Sequence, residues 1–530
     1  MSLSHILAKP ELQTDVFACR QAITQVLVAV SKGEDTSLLT PQMVKHLASN
    51  DLVIKKLACL YLEKCANQKN EDLLLALNTL LKDCADPNPT IRGLALKTLC
   101  SLRDAELMQY SLKPLKLALQ DQSAYVRRIA VMSCARIYKS LPLVIDDLGL
   151  VDLLYGMLRD SDPIVVVNCL HALNEILHSE GGVVVNRKIA YHLLNKLEEL
   201  TEWGVATVMD VLTNYKPKSE NEVFEIMNIL DKFLGHSNSA VVEATFKVFL
   251  HLSKDLPHIK TEIFKRIKPS LVSFLNAGNP EVCFMILTFI DENILPESGD
   301  LFADDIKSFF CKQKEPVYLK VKKLKIIPMI ASEDKVKNAL DELMMLSKDH
   351  SIEVAQNAIF AIGKIAVKHN CHLGTCISRL VSLFHLNVDY ISSSVLQVLK
   401  SLDIDQLGEL EKIFHGLEQC AEVIQDPEGL CAMFWLLGEY GEHIDDAPYM
   451  LEDYSEKLGE LCDTGVKLHL LSACVKLFAK RPAECQDTLG KLLEFLMIEE
   501  KDCDVQERAR FYFHLLQKDV EYTKRLVLSR

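Results

Sequence analysis

The sequence predicts an all-α protein, a HEAT/armadillo-like helical-repeat solenoid running through residues 1–530 as a single body of about 13 repeats. Three observations predict it. A polar cap, often followed by proline, recurs ahead of an aliphatic residue; the apolar residues after each cap have helical spacing; and successive units are separated by 35 to 41 residues.

The caps read in order as Asn88-Pro89-Thr90-Ile91-Arg92, Ser123-Ala124-Tyr125-Val126-Arg127, Asp162-Pro163-Ile164-Val165 and Asn279-Pro280-Glu281-Val282. Asn or Asp supplies an acceptor for the first free N–H groups of a helix, and Pro fits the first turn, where its missing N–H is no loss. After the cap, Ile91, Leu94, Ala95, Thr98 and Leu99 mark one helix face, as do Val354, Ala358, Ala361, Ile362 and Ile365. The aliphatic marker recurs at Ile54, Ile91, Val126, Val165, Val205, Val241, Val282, Tyr318, Val354, Ile391, Gly429, Val466 and Val505, with Val205, Tyr318 and Gly429 as weak matches. The period lies near that of tetratricopeptide units, but their Trp, Leu-Gly and Tyr pattern is missing, as is the ankyrin Thr-Pro-Leu-His. Only 20 glycines also favour helix pairs over strands. The least regular stretches, 181–186, 216–222 and 296–304, read as loops within one body with no firm boundary.

The chain has 59 basic and 73 acidic residues, a net charge of −14, with 49% hydrophobic residues, an ordinary globular balance. Its 17 cysteines are scattered without dense pairing and no N-terminal stretch has the make-up of a signal peptide, which predicts a reduced, cytoplasmic protein. No run of about 18 residues is continuously apolar, so membrane contact is expected to be peripheral. Residues 1–150 carry 18 basic and 15 acidic side chains, residues 401–530 carry 14 and 27. That balance disfavours nucleic acid as a partner of the acidic end and makes the N-terminal third the side to face anionic lipid.

The chain has no phosphate loop, zinc-protease helix, nucleophile elbow or dinucleotide turn, so no catalytic residue and no cofactor is expected. His369, Cys371, His372 and Cys376 form the one compact metal-like cluster. Without a second cysteine pair it reads as packed thiols and a solvated histidine, and no metal site is assigned. The run Lys312, Lys314, Lys320, Lys322, Lys323 and Lys325 offers cations to phosphoinositide head groups. The favoured reading is that the lysines coat a helix whose core is Leu319, Leu324, Ile326 and Ile327. Arg127 and Arg128 read as inter-repeat partners for loop carboxylates. In the helix opened by Asn70-Glu71-Asp72, one helical stripe cannot bury the run Leu73, Leu74 and Leu75 together with Leu77. Either one of them stays exposed for a partner, or neighbouring helices cover all of them.

Several segments resemble a known family. LKDCADPNPTIRGLALKTLCSLR from Leu81, SAYVRRIAVMSCARIY from Ser123, DPIVVVNCLHALNEI from Asp162, TEWG from Thr201, SNSAVV from Ser237, EPVYLKVKKLKII from Glu315, WLLGEYGEHIDDA from Trp435 and KRPAECQ from Lys480 are similar to the beta-type large adaptins of heterotetrameric vesicle-coat adaptor complexes. EGGVVVNRKIAYHLLNKL from Glu180 and RPAECQDTLGKLLEFLMIEEKD from Arg481 resemble most the branch of the fourth, clathrin-independent adaptor complex. The resemblance implies a non-enzymatic scaffold at the trans-Golgi network, partnered by medium, small and second large subunits. The assembled complex would read cargo tails and be recruited by an Arf-family GTPase in its GTP state. Carried over by the match to LALNTLLKDCADPNP, the GTPase contacts fall on Leu74 and Leu77. Phosphoinositide-binding relatives have a lysine-dense first helix, whereas ELQTDVFACRQAITQVLVAVSKGED holds only Arg20 and Lys32, which shifts recruitment toward the GTPase. The hinge and appendage that follow the trunk in the family are not present in the sequence. The competing expectation is a karyopherin-like carrier holding basic cargo, which the acidic last 130 residues would suit.

Overall fold

The computed structural model describes residues 15–65, 72–102, 105–140, 149–254, 256–402, 410–421, 423–460 and 463–528. The described residues form 28 α-helices joined by turns and short 3-10 pieces, with no strand among them. The contacts group the chain into two compact units, Met1–Lys260 and Thr261–Arg530.

Within the first unit one row of helices stacks in sequence: Val16–Ser31, Leu52–Cys65, Pro89–Leu99, Ala124–Ser140, Pro163–Ile176, Glu202–Leu212 and Ser239–Leu252. Shorter helices, among them Thr40–His46, Asp72–Asp83 and Leu112–Leu119, lie against this row as a second layer. The second unit repeats the plan with Pro280–Asn293, Val317–Ile330, Ile352–Lys368, Asp389–Ser401, Pro427–Tyr440, Thr464–Lys480 and Cys503–Lys518 as its row. Each layer buries the stripe that the other cannot bury alone, which is the physical basis of a helical-repeat array.

The caps form as the sequence dictates. The side chains of Asn88, Asp162 and Asn279 accept hydrogen bonds from the N–H groups of Thr90, of Ile164 and Val165, and of Glu281 and Val282. Asn238, Asp426, Asp463 and Asp502 do the same for later row helices. Most markers are core residues, including Ile54, Val126, Val165, Val205, Val241, Val354, Ile391, Val466 and Val505. Ile91 and Val282 are half-buried, and the weak marker Tyr318 is exposed, with Leu319 in the core one residue on. The segments around 181–186 and 216–219 are loops, but Gly299–Phe309 is wound into 3-10 turns because Phe302, Ile306 and Phe309 anchor it in the core.

The residue after the core marker is repeatedly a cation, and it reaches an acidic side chain of the next repeat. Lys55 pairs with Asp83 (2.6 Å), Arg92 with Asp121 (2.8 Å), Arg127 with Asp160 (2.7 Å), Lys320 with Asp349 (2.8 Å) and Lys467 with Glu500 (2.7 Å). The two guanidinium groups also donate backward, Arg92 to the carbonyls of Asp86 and Pro87 and Arg127 to those of Asp121 and Gln122. Each thus ties the turn before its own helix to the turn of the following repeat. The one-residue slip at Tyr318 keeps this spacing, since Lys320 follows the buried Leu319 and pairs with Asp349.

Candidate partner-binding surface

The Asp72–Asp83 helix lies in the second layer of the first unit, against the Thr40–His46 and Pro89–Leu99 helices. Ala76, Leu77 and Leu80 share the inward face and join a core with Leu47, Leu62, Leu99 and Leu102. At 100° per residue the opposite face presents Leu74, Leu75, Asn78 and Lys82, all exposed. Leu74 is 54% and Leu75 63% exposed, while Leu77 retains 7%. Of the two residues expected to meet a GTPase, Leu74 is therefore on the surface and Leu77 is a core residue three positions on, with Leu75 as the second exposed leucine. The side chain of Leu73 lies outside the described residues. The helix is held at its C-terminal end by Asp83, whose buried carboxylate accepts from Lys55 at 2.6 Å.

The other candidates resolve differently. Arg127 and Arg128 are inter-repeat partners, of Asp160 and Asp162. In the lysine run, three lysines do not simply coat their helix: Lys320 pairs with Asp349, Lys322 with Asp291 (2.6 Å), and Lys323, fully buried, with Glu315 (2.7 Å). Lys323 also donates to the Phe310 carbonyl at 3.0 Å, so the burial of its ammonium is compensated on two sides. Of the two basic residues expected in this first stretch, Arg20 is engaged by Asp51 at 2.6 Å and Lys32 follows the end of the helix.

His369 is buried rather than solvated, its Nε2 placed 2.9 Å from the Ala331 carbonyl. Cys376 is in the core and Cys371 on the surface. Burial pushes the Cys376 thiol up to about 11. Among the described residues, no three His, Cys, Asp or Glu side chains come together in a way that could hold a metal ion, and no helix is long and apolar enough to cross a membrane.

The adaptin N terminal region model matches residues 1–520. Across 527 residues the chain is 40% identical to the mouse (Mus musculus) AP-4 complex subunit beta-1, covering 99% of this chain and 71% of that protein. It is 35% identical to the Arabidopsis thaliana beta-adaptin-like protein A, over 96% of this chain and 62% of that one, and 33% identical to mouse AP-1 complex subunit beta-1, over 96% and 54%. In fold it is similar to a chain in a homology model of the full-length AP-3 complex in an intermediate open conformation, with TM-score 0.59 and 18% identity, covering 98% of this chain and 93% of the other. The chain thus spans between about half and seven tenths of the length of these sequence relatives. With the family model spanning nearly every residue of a two-layer repeat array, the chain belongs to the adaptin family, among its beta-type large subunits.

Proposed function

We propose that this chain acts without catalysis as the beta-type scaffold subunit of a heterotetrameric coat adaptor. In this reading it assembles with medium, small and second large subunits, stays peripheral on the cytoplasmic face of trans-Golgi network membranes, and serves a complex that sorts cargo by its tails. Recruitment is by an Arf-family GTPase in its GTP state, docking on the outward face of the Asp72–Asp83 helix. The observation that carries the docking site is the adjacent exposed pair Leu74 and Leu75, on a helix whose other described leucines are buried or half-buried. Leu77 supports that helix from beneath.

Full burial of a leucine is worth about 1.5–3 kcal/mol, and roughly half to two thirds of each of these side chains remains to be covered. The pair therefore contributes about 2–3 kcal/mol, roughly a 30- to 150-fold difference in affinity. The test is binding of this chain, co-expressed with its medium subunit, to an Arf-family GTPase loaded with a non-hydrolysable GTP analogue or with GDP. The wild type should bind the GTP form selectively, and the double change Leu74→Ser with Leu75→Ser should weaken it by that factor while leaving the melting temperature unchanged. Unaltered affinity in the variant overturns the docking face. Equal binding of both nucleotide forms, or of neither, overturns nucleotide-dependent recruitment through this chain.

A further inference from the structure

In the second unit, the row helices Val317–Ile330, Ile352–Lys368 and Asp389–Ser401 border a cleft of about 610 Å³. Its floor is apolar, made by Leu324, Phe360, Ala361 and Val398, with the exposed Val367 beside them. Gly363 lies tight against the Asp389–Ser401 helix: a Cβ there would lie 2.5 Å from Val398 Cγ1.

The rim carries Lys325, Lys364 and Lys368, and no carboxylate lines the cleft. This is unusual in a chain of net charge −14. It is unusual on its own helix too, where Lys320, Lys322 and Lys323 each meet a carboxylate. Lys325 and Lys364 are exposed and have no such partner among the ion pairs of the described residues. Lys368 is fixed in place, donating to the carbonyls of Met329 (2.6 Å) and Ala331 (3.2 Å).

Two amides, Asn357 and Gln397, and Ser401 also line it. Asn357 donates its nitrogen to the Glu353 carbonyl (2.8 Å) and Gln397 donates to Ser393 Oγ (3.3 Å), so their side-chain oxygens are left as acceptors for a ligand's N–H groups. An apolar floor, uncompensated cations and acceptors for N–H together specify a ligand with apolar side chains, carboxylates and a peptide backbone.

We infer that this cleft is a docking site for an acidic peptide segment of a partner protein, anchored by an apolar side chain on the floor between Phe360 and Val398 and by carboxylates on Lys325 and Lys364. The inference is independent of the GTPase reading, which concerns a helix of the other unit.

The experiment uses fluorescence anisotropy on the full chain with three labelled 12-residue probes: one of alternating Leu/Phe and Asp/Glu, the same peptide with Asn/Gln for Asp/Glu, and an oligo-glutamate. Vesicles of phosphatidylcholine with one fifth phosphatidylserine form a fourth arm. The acidic apolar peptide should bind at least tenfold tighter than either control, and more weakly as salt rises. The double variant Lys325→Glu with Lys364→Glu should lose at least tenfold, and Val367→Ser, an exposed position that tests the floor without loading the core, several-fold. Equal binding of the oligo-glutamate would reduce the cleft to a patch of charge and overturn the inference. Binding unaltered by the substitutions, absence of binding to any peptide, or binding to the vesicles alone would overturn it as well.

Discussion

Replacing Arg127 by Met removes one rung of the inter-repeat ladder and is expected to destabilise the first unit by about 2–4 kcal/mol at pH 7. The guanidinium makes a two-pronged pair with Asp160 (2.7 and 2.9 Å) and donates to the carbonyls of Asp121 (2.9 Å) and Gln122 (3.1 Å). The side chains of Arg127 and Asp160 are only 15% and 9% exposed, so the rung behaves more like a buried pair, where losing one partner costs about 3–5 kcal/mol, than a surface pair worth about 1 or less. Burial is the largest influence on the Asp160 carboxyl and would raise its pKa, yet the hydrogen bond from Arg127 helps to hold it below the ordinary carboxylate value. Without Arg127 burial is less opposed and the carboxyl moves upward. A substitution that raises a carboxyl's folded pKa costs most where the carboxyl is ionised and least where it is protonated. The cost of Arg127→Met should therefore be largest at pH 7 and shrink toward pH 4. Urea unfolding by far-UV circular dichroism at both pH values measures the cost, and hydrogen exchange at the amides of Asp162 and Val165 localises it. The double variant Arg127→Met with Asp160→Asn should recover part of the loss, because the uncompensated carboxylate is gone. A cost under 0.5 kcal/mol at pH 7, or a double variant no more stable than the single one, refutes the reasoning.

Three further outcomes are expected of the core and the ladder. Leu77→Ala should lower stability by about 2–4 kcal/mol through the cavity it leaves, and Leu74→Ala by no more than about 0.5, as read from urea midpoints. Asp162, Asp349 and Glu500 are held below the usual carboxylate range, first by hydrogen bonds from Arg128, Lys320 and Lys467 respectively. Their contribution is fully present above the unfolded carboxylate values of about 4 and is lost as pH falls through the lowered folded values, so the melting temperature should fall as pH drops below about 4. Half-buried Glu342, raised by burial, runs the other way. Lys467→Met should flatten part of the acid-side drop in a thermal melt series.

What the sequence made legible is what a one-dimensional period can encode. Caps such as Asn88 and Asp162, and core markers such as Val126 and Val354, depend on local spacing, and they fold where that spacing puts them. The slip from Tyr318 to Leu319 escaped because an aromatic residue at the marker position satisfies an apolar pattern, whereas the partner of the following lysine, Asp349, lies 29 residues beyond Lys320. In the lysine run Leu319, Leu324, Ile326 and Ile327 are core as expected, and only the ion pairs were missed, because the distant partners Asp291 and Asp349 bear no local relation to it. On the Asp72–Asp83 helix the sequence showed that the leucines could not all be buried, but not which. Leu77 projects with Ala76 and Leu80 onto a core that includes Leu47 and Leu99, so the neighbours choose the face.

A repeat array uses most of its strong side chains to hold successive units together, and this bears on where its partners bind. Each row helix needs an apolar stripe for the second layer, and many turns need a cation and a carboxylate to fix the next repeat. A side chain left over after both requirements are met is the informative one. Leu80 is explained by the core and Lys320 by Asp349, so neither points outward to a function. Leu74 and Leu75 lie off the stripe, and Lys325 and Lys364 lie off the ladder. In a solenoid, exposed leucine or basic residues by themselves therefore say little, and the same residues become evidence of a binding surface once the periodic demands of the fold have been subtracted.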